Sequence, residues 1–121
     1  MDFLYISGFD LPPGKSRQFQ SWVQQNFKAL QAAMPKGNEL VGIYAVMFSS
    51  EKESGSYKMV IRLDSYGAMD SFAAAVQANP DLNRLMDELG SFGDVRLGAN
   101  FSTELLKSVS DISIWADPAE E

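Results

Sequence analysis

The sequence contains neither cysteine nor histidine, and these two absences exclude much of protein chemistry. Without cysteine there is no disulfide framework, no thiolate nucleophile and no cysteine-based zinc or iron–sulfur site. Without histidine there is no Ser-His-Asp triad, no imidazole acid or base and no histidine-ligated haem. We therefore expect the protein to use no metal and no bound cofactor.

Basic residues and long apolar runs are also scarce. Ten Lys and Arg stand against sixteen Asp and Glu, which gives a formal net charge of −6. An acidic surface repels phosphate backbones and anionic lipids, so neither nucleic acid nor a membrane is an expected partner. The longest apolar run, residues 40–48, is too short to cross a bilayer as a helix, and the N-terminus lacks the basic region of a secretory signal. These features predict a cytoplasmic protein.

The remaining composition is that of an ordinary globular chain. Hydrophobic residues make up 45% and charged residues 21% of the 121 positions, and this length fits one domain. We place the domain at residues 1–104 and a C-terminal extension at 105–121. The extension has two interpretations, a fifth strand or a segment that reaches onto a neighbouring subunit.

In the first half of the chain, the spacing of the apolar residues changes from a strand period to a helix period and back. Residues 2–9 are rich in aromatic and β-branched types, which predicts a strand. From 15 to 34 the apolar residues recur at three- and four-residue steps, which predicts an amphipathic helix. The breaker sequence 35–38 ends this helix. Two further strands are predicted at 39–49 and 57–64, joined by a polar loop that contains glycine.

The second half predicts a helix in two pieces, followed by a strand. Ser65 is placed to cap the first piece. Asn79 and Pro80 have the pattern of an N-cap followed by proline at the first helical position. The second piece carries four apolar residues predicted to face inward, Leu82, Leu85, Met86 and Leu89. The next strand is predicted at 95–101.

The order β-α-β-β-α-β predicts an α+β, ferredoxin-like sandwich, with a four-stranded antiparallel sheet and the helices on one face. Strict alternation along the second strand would place Leu40 and Tyr44 on one face and Val41 and Ile43 on the other, so that both faces are apolar. A sheet that is apolar on both faces requires a second cover. A homodimer supplies one. The alternative is that the tail of the same chain folds back over the free face.

The pattern resembles a known superfamily. The strand and helix order, the loop LPPGK at 11–15 and the interrupted helix ANPDLNRLMDEL at 78–89 are similar to those of the dimeric α+β barrels. This group includes antibiotic-biosynthesis monooxygenase-like and stress-responsive proteins. The resemblance implies that two ferredoxin-like subunits pack sheet to sheet, and that each holds a small pocket between its helices and its sheet.

The resemblance also indicates which residues line such a pocket. The candidates are polar or aromatic groups on strand or helix faces: Tyr5, Ser7, Trp22, Tyr44, Arg62, Tyr66, Phe72 and Asn100. Trp22 could instead be a core anchor, the tyrosine hydroxyls could bond to backbone, and Arg62 could be a rim residue or part of an ion pair between subunits. Haem-degrading relatives carry an Asn near the position of Ser7 and a His elsewhere, and this chain has neither.

Two classes of function follow from the resemblance. One is a cofactor-independent, monooxygenase-like enzyme that acts on a small aromatic or polyketide-like molecule. The other is a non-catalytic module that binds a small apolar ligand or only dimerises. Fold likeness alone does not choose between them, because one fold hosts many functions.

Overall fold

A computed structural model of the chain describes residues 3–12, 14–48, 56–65, 67–92 and 101–109. Seven helices and strands lie within these ranges. In chain order they are β1 (Phe3–Phe9), α1 (Ser16–Ala33), β2 (Asn38–Ala45), β3 (Tyr57–Leu63), α2 (Ala68–Ala78), α3 (Pro80–Gly90) and β4 (Phe101–Lys107).

The four strands form one antiparallel sheet in the order β2-β3-β1-β4. In the centre of the sheet, Phe3 of β1 lies opposite Leu63 of β3, and Phe9 lies opposite Tyr57. The α+β, ferredoxin-like fold class predicted from the element order is confirmed.

The core lies between the sheet and the helices. Alternate residues of β3, from Tyr57 to Leu63, are buried, as the strand period predicts. Phe19 is fully buried at one end of the core, where its ring contacts those of Phe9, Tyr57 and Phe92 at centroid distances of 4.8–5.6 Å. The cluster fixes α1 against the sheet.

A β-bulge in β2 changes which of its side chains share a face. Leu40 lies opposite Ile61, but the next registered pair is Gly42 with Val60, so β2 contains one extra residue at this point. Leu40 therefore faces the helices, whereas Gly42 and Tyr44 face the other side of the sheet. Strict alternation, which placed Leu40 and Tyr44 on the same face, is wrong here. The strand also ends at Ala45, short of the predicted 49.

The helical segment after β3 is interrupted as predicted, but only one of the two predicted caps forms. Asn79 Oδ1 accepts hydrogen bonds from the backbone N–H groups of Asp81 and Leu82, at 3.1 and 3.3 Å, and Pro80 begins α3. Ser65 is not the cap of α2. That helix begins after Gly67 without a side-chain cap, and Ser65 contributes only its carbonyl oxygen, which accepts from the N–H of Ala68.

Strand β4 lies further along the chain than predicted. It runs from Phe101 to Lys107, so it shares only Phe101 with the predicted strand at 95–101. The rest of that prediction, the loop at 49–55 and the tail from 110 lie outside the described residues. The boundary placed at 104 falls inside β4, and the division of the chain into a domain and an extension stays a prediction.

No described helix covers the second face of the sheet, which we call the open face. The centre of this face is apolar. Two large side chains lie on its edge strands, Tyr44, which is 51% exposed, and Leu106, which is 44% exposed. The apolar residues that share this face by register are Leu4, Ile6, Val60, Tyr44 and Leu106.

Charged side chains also lie on the open face. Lys58 Nζ lies 3.6 Å from Glu104 Oε1, and Arg62 Nη1 lies 3.7 Å from Glu39 Oε2. Within the described ranges, no helix is both long and apolar enough to cross a membrane.

Candidate functional site

A cavity of about 280 Å³ lies between the sheet and helices α2 and α3. The register of β1 and β3 places Tyr5, Ser7 and the apolar residues of β3 on the helix-facing side of the sheet, where they form the floor. The helices form the roof. The lining, as far as the described residues show it, is Tyr5, Ser7, Asn38, Met59, Ile61, Leu63, Met69, Phe72, Ala73 and Met86.

Most of the cavity wall is apolar and adaptable. Three of the ten lining residues are methionines, whose flexible thioethers fit irregular shapes and pack well against aromatic rings. Phe72 adds an aromatic face. Ala73 is the one exposed residue of the described lining, so we place the opening of the cavity beside it. Such a wall suits a compact, mainly apolar molecule that enters from the side of α2.

Three polar side chains of the described residues line the same cavity. Tyr5 and Ser7 lie two residues apart on β1 and therefore face the same side. Asn38 begins β2, two strands away from β1 in the sheet. The cavity is thus polar at a few points within an apolar surround, which is the usual composition of a small-molecule site.

Asn38 is the one buried polar residue found among the described parts of the chain, with 9% of its surface exposed. Its side-chain Nδ2 is buried and has no hydrogen-bond partner there. Sequence reasoning missed this residue, because Asn38 was assigned to the breaker sequence that ends α1. A polar residue between Gly37 and Glu39, two positions before the apolar run of β2, is the available signal, but only tertiary packing shows which way it faces.

The structure brings together three of the residues proposed from the sequence, Tyr5, Ser7 and Phe72, and separates three others from them. Trp22 packs against Phe92, at a ring-centroid distance of 6.1 Å, and does not line the cavity. Arg62 and Tyr44 lie on the open face. Arg62 faces away from the cavity because it alternates along β3 with the buried residues Ile61 and Leu63. Tyr44 faces away because the bulge in β2 reverses the alternation after Leu40.

Tyr44 also borders a shallow groove between α1 and β2, formed with Val23, Phe27 and Val41 among others. This groove is separate from the cavity and shares no lining residue with it. Tyr66 and Asn100 lie outside the described residues, and their proposed roles stay predictions.

The cavity can hold a ligand by shape and by a few hydrogen bonds. The hydroxyl groups of Tyr5 and Ser7 can donate or accept, and the amide of Asn38 offers both a donor and an acceptor. No carboxylate or cationic side chain lines the cavity within the described residues. The chemistry that this arrangement supports is therefore positioning and desolvation of a bound molecule rather than strong acid or base catalysis.

Comparison with known proteins shows the fold and no more. No protein-family profile and no curated protein sequence matches the chain. Among solved structures, it is similar to an uncharacterised NIPSNAP domain protein from Burkholderia xenovorans, with a TM-score of 0.66 and 11% identity over 89% of this chain and 95% of that one. It is also similar to a NIPSNAP family protein from Agrobacterium tumefaciens, with a TM-score of 0.66 and 10% identity over 90% of this chain and 94% of that one.

A third similar structure comes from Bordetella bronchiseptica, from a protein assigned as an antibiotic biosynthesis monooxygenase. The TM-score is 0.62 and the identity 16%, over 89% of this chain and 97% of that one. The resemblance to the α+β barrel superfamily is thus confirmed as a likeness of fold.

Proposed function

We propose that this protein binds a small, mainly apolar or aromatic molecule in the cavity between its sheet and α2 and α3. The observation that carries the proposal is the cavity itself, whose described lining is mainly apolar and includes three polar side chains. Its volume of about 280 Å³ lies near the lower end for ligand pockets, which suits a molecule of about two fused rings.

A substitution that partly fills the cavity tests this proposal. Ala73→Leu places a larger side chain at the cavity opening, whereas Ala74→Leu makes the same change at an exposed neighbour on α2 that does not line the cavity. With tetralin as the probe, we expect calorimetry to show binding to the wild type and to Ala74→Leu, and binding at least about tenfold weaker to Ala73→Leu, since the probe must displace a side chain. Equal affinity in all three proteins, or no binding to the wild type, would contradict the proposal.

A second candidate is catalysis at the same site, by a cofactor-independent monooxygenase-like reaction on an aromatic or polyketide-like molecule. The observations that favour it are the two hydroxyl groups of Tyr5 and Ser7 in the cavity and the fold likeness to the Bordetella protein. For 1-naphthol the balanced reaction takes one O2 and gives 1,4-naphthoquinone and water. One oxygen atom enters the ring and the other leaves as water, and the substrate supplies the electrons.

Oxygen uptake with 1-naphthol separates an enzyme from a binder. Catalysis predicts protein-dependent O2 consumption equal to the quinone formed, which falls in Ala73→Leu and persists in Ala74→Leu. A non-catalytic module predicts binding of 1-naphthol with no uptake above the rate without protein.

The open face supports a second part of the proposal, that two copies of the chain pack together through their sheets. A row of apolar side chains across all four strands lies on this face, and the described residues leave it uncovered. Exposed apolar patches of this kind mark interaction surfaces. A two-fold axis would set the same patch of each copy against the other, which suits a self-complementary apolar surface.

A further inference from the structure

We infer that Asn38 selects the ligand of the cavity by donating its Nδ2–H to an acceptor oxygen on an uncharged molecule. This inference rests on the proposed small-molecule binding and adds to it a specificity-determining residue and a ligand chemistry.

The unsatisfied amide is the first step of the argument. Asn38 is about nine-tenths buried and lines the cavity, and its Nδ2 has no partner among the described residues. Nearly all buried polar groups in native proteins are hydrogen-bonded, because an unmade bond at a buried donor costs free energy. A ligand oxygen beside Nδ2 removes this cost, so the bound state gains more than it would from an exposed donor.

The backbone around Asn38 holds this donor in place. The N–H of Asn38 donates to the carbonyl oxygen of Pro35 at 3.0 Å, and the N–H of Asp64 donates to that of Gly37 at 3.1 Å. Gly37 has a φ of +89°, which a residue with a side chain rarely adopts. The turn is thereby fixed before β2 begins, and a donor that is already ordered loses little entropy when a ligand binds.

The surroundings favour an uncharged ligand. None of the ten lining residues that the structure describes is charged, so a carboxylate or phosphate beside them would lose its hydration without gaining a cation. The net charge of −6 further disfavours an anion. A ketone or quinone oxygen on an apolar ring system fits this chemistry.

Matched probes test the role of Asn38. 1-Tetralone and tetralin share two fused rings and differ by one carbonyl oxygen, and 1-naphthoate carries a negative charge. We would measure the affinities of all three for the wild type and for Asn38→Leu, a substitution of similar size that removes the amide. The ratio of tetralone to tetralin affinity should be about tenfold higher in the wild type than in the variant, because one hydrogen bond to a buried donor is lost.

Comparing the ratio between two proteins cancels the different hydration of the two probes. If Asn38→Leu fails to fold, the role of Asn38 can be tested by NMR on the wild-type protein. The side-chain amide signals of Asn38 in a 15N-labelled sample, assigned by their absence from the spectrum of Asn38→Asp or Asn38→Leu, should shift with tetralone much more than with tetralin.

The outcomes separate this inference from the proposed function. If tetralin binds and Ala73→Leu blocks it, but the tetralone ratio is the same with and without Asn38, the cavity binds ligands and the role of Asn38 is wrong. Tighter binding of 1-naphthoate than of tetralone would overturn the inference that the ligand is uncharged. If none of the probes binds the wild type, both the proposed function and this inference fail.

Discussion

At the scale of single residues, Asn38 departs most from what a stable core requires. Its neighbours in the cavity wall, such as Leu63 and Met59, are buried and apolar, and an apolar residue would fit the same position. Burying an amide without a partner destabilises the folded state by about 1–3 kcal/mol. Residues that lower stability without an evident structural benefit are commonly found at functional sites, where stability and activity are in conflict.

Replacing Asn38 by leucine should therefore make the free protein more stable. We expect Asn38→Leu to raise the free energy of unfolding by about 1–3 kcal/mol, since the unpaired Nδ2 donor is removed and apolar contact is gained. Asn38→Asp has the same shape and should lower it, because a carboxylate would be buried without a cation. Urea denaturation measures both free energies of unfolding, and a loss of stability in the leucine variant would contradict this prediction.

At the scale of secondary-structure elements, two local features set where the walls of the cavity lie. The Asn79 cap breaks the helical segment after β3 into α2 and α3, and residues of both pieces line the cavity. The bulge in β2 turns Tyr44 away from the cavity and leaves Leu40 in the core. In both cases a single position decides the direction of the residues that follow it.

The cap makes a measurable contribution to stability. Asn79→Ala removes the acceptor of two backbone N–H groups and should lower the free energy of unfolding by about 1 kcal/mol. Asn83→Ala, inside α3, is the matched control, and should be neutral or slightly stabilising because alanine favours the helix. Chemical denaturation of both variants checks the difference, and an equal effect would rule out the cap as the source.

The bulge gives a second prediction at this scale. A Cβ on Gly42 would lie 2.7 Å from the Cζ and Oη atoms of Tyr44, so the Tyr44 ring covers this glycine. Gly42→Ala should cost about 1 kcal/mol through overpacking, and the cost should largely disappear in a Tyr44→Ala background, where the space is empty. Unfolding free energies of the two single variants and the double variant measure this coupling. Additive effects would mean that the ring does not rest on Gly42.

At the scale of the whole molecule, the two faces of the sheet have different roles. The helix-covered face holds the core and the cavity, whereas the open face presents apolar residues from all four strands to the surroundings. Charged pairs on the open face, such as Lys58 with Glu104, surround the apolar centre. An apolar centre with polar residues around it is the usual anatomy of a protein–protein interface.

A charge at the centre of the open face should separate the proposed dimer. The wild type should sediment at twice its chain mass of 13.4 kDa, and Val60→Lys should sediment as a monomer, because association would bury an unpaired ammonium group. Ala74→Lys adds the same charge on the helical side and should remain a dimer. A wild type that sediments at the mass of one chain in dilute solution would remove the basis of this proposal.

The sequence by itself determined the order and type of the elements, because helix and strand periods are local and are written in the spacing of apolar residues. The inward stripe of α3 and the alternation of β3 were correct for this reason. The tertiary structure decided the rest. Pairing with β3 places the bulge, and the bulge moves Tyr44 to the open face. Packing against α2 and α3 makes Asn38 part of a cavity rather than part of a turn, because burial depends on residues that are distant in the chain.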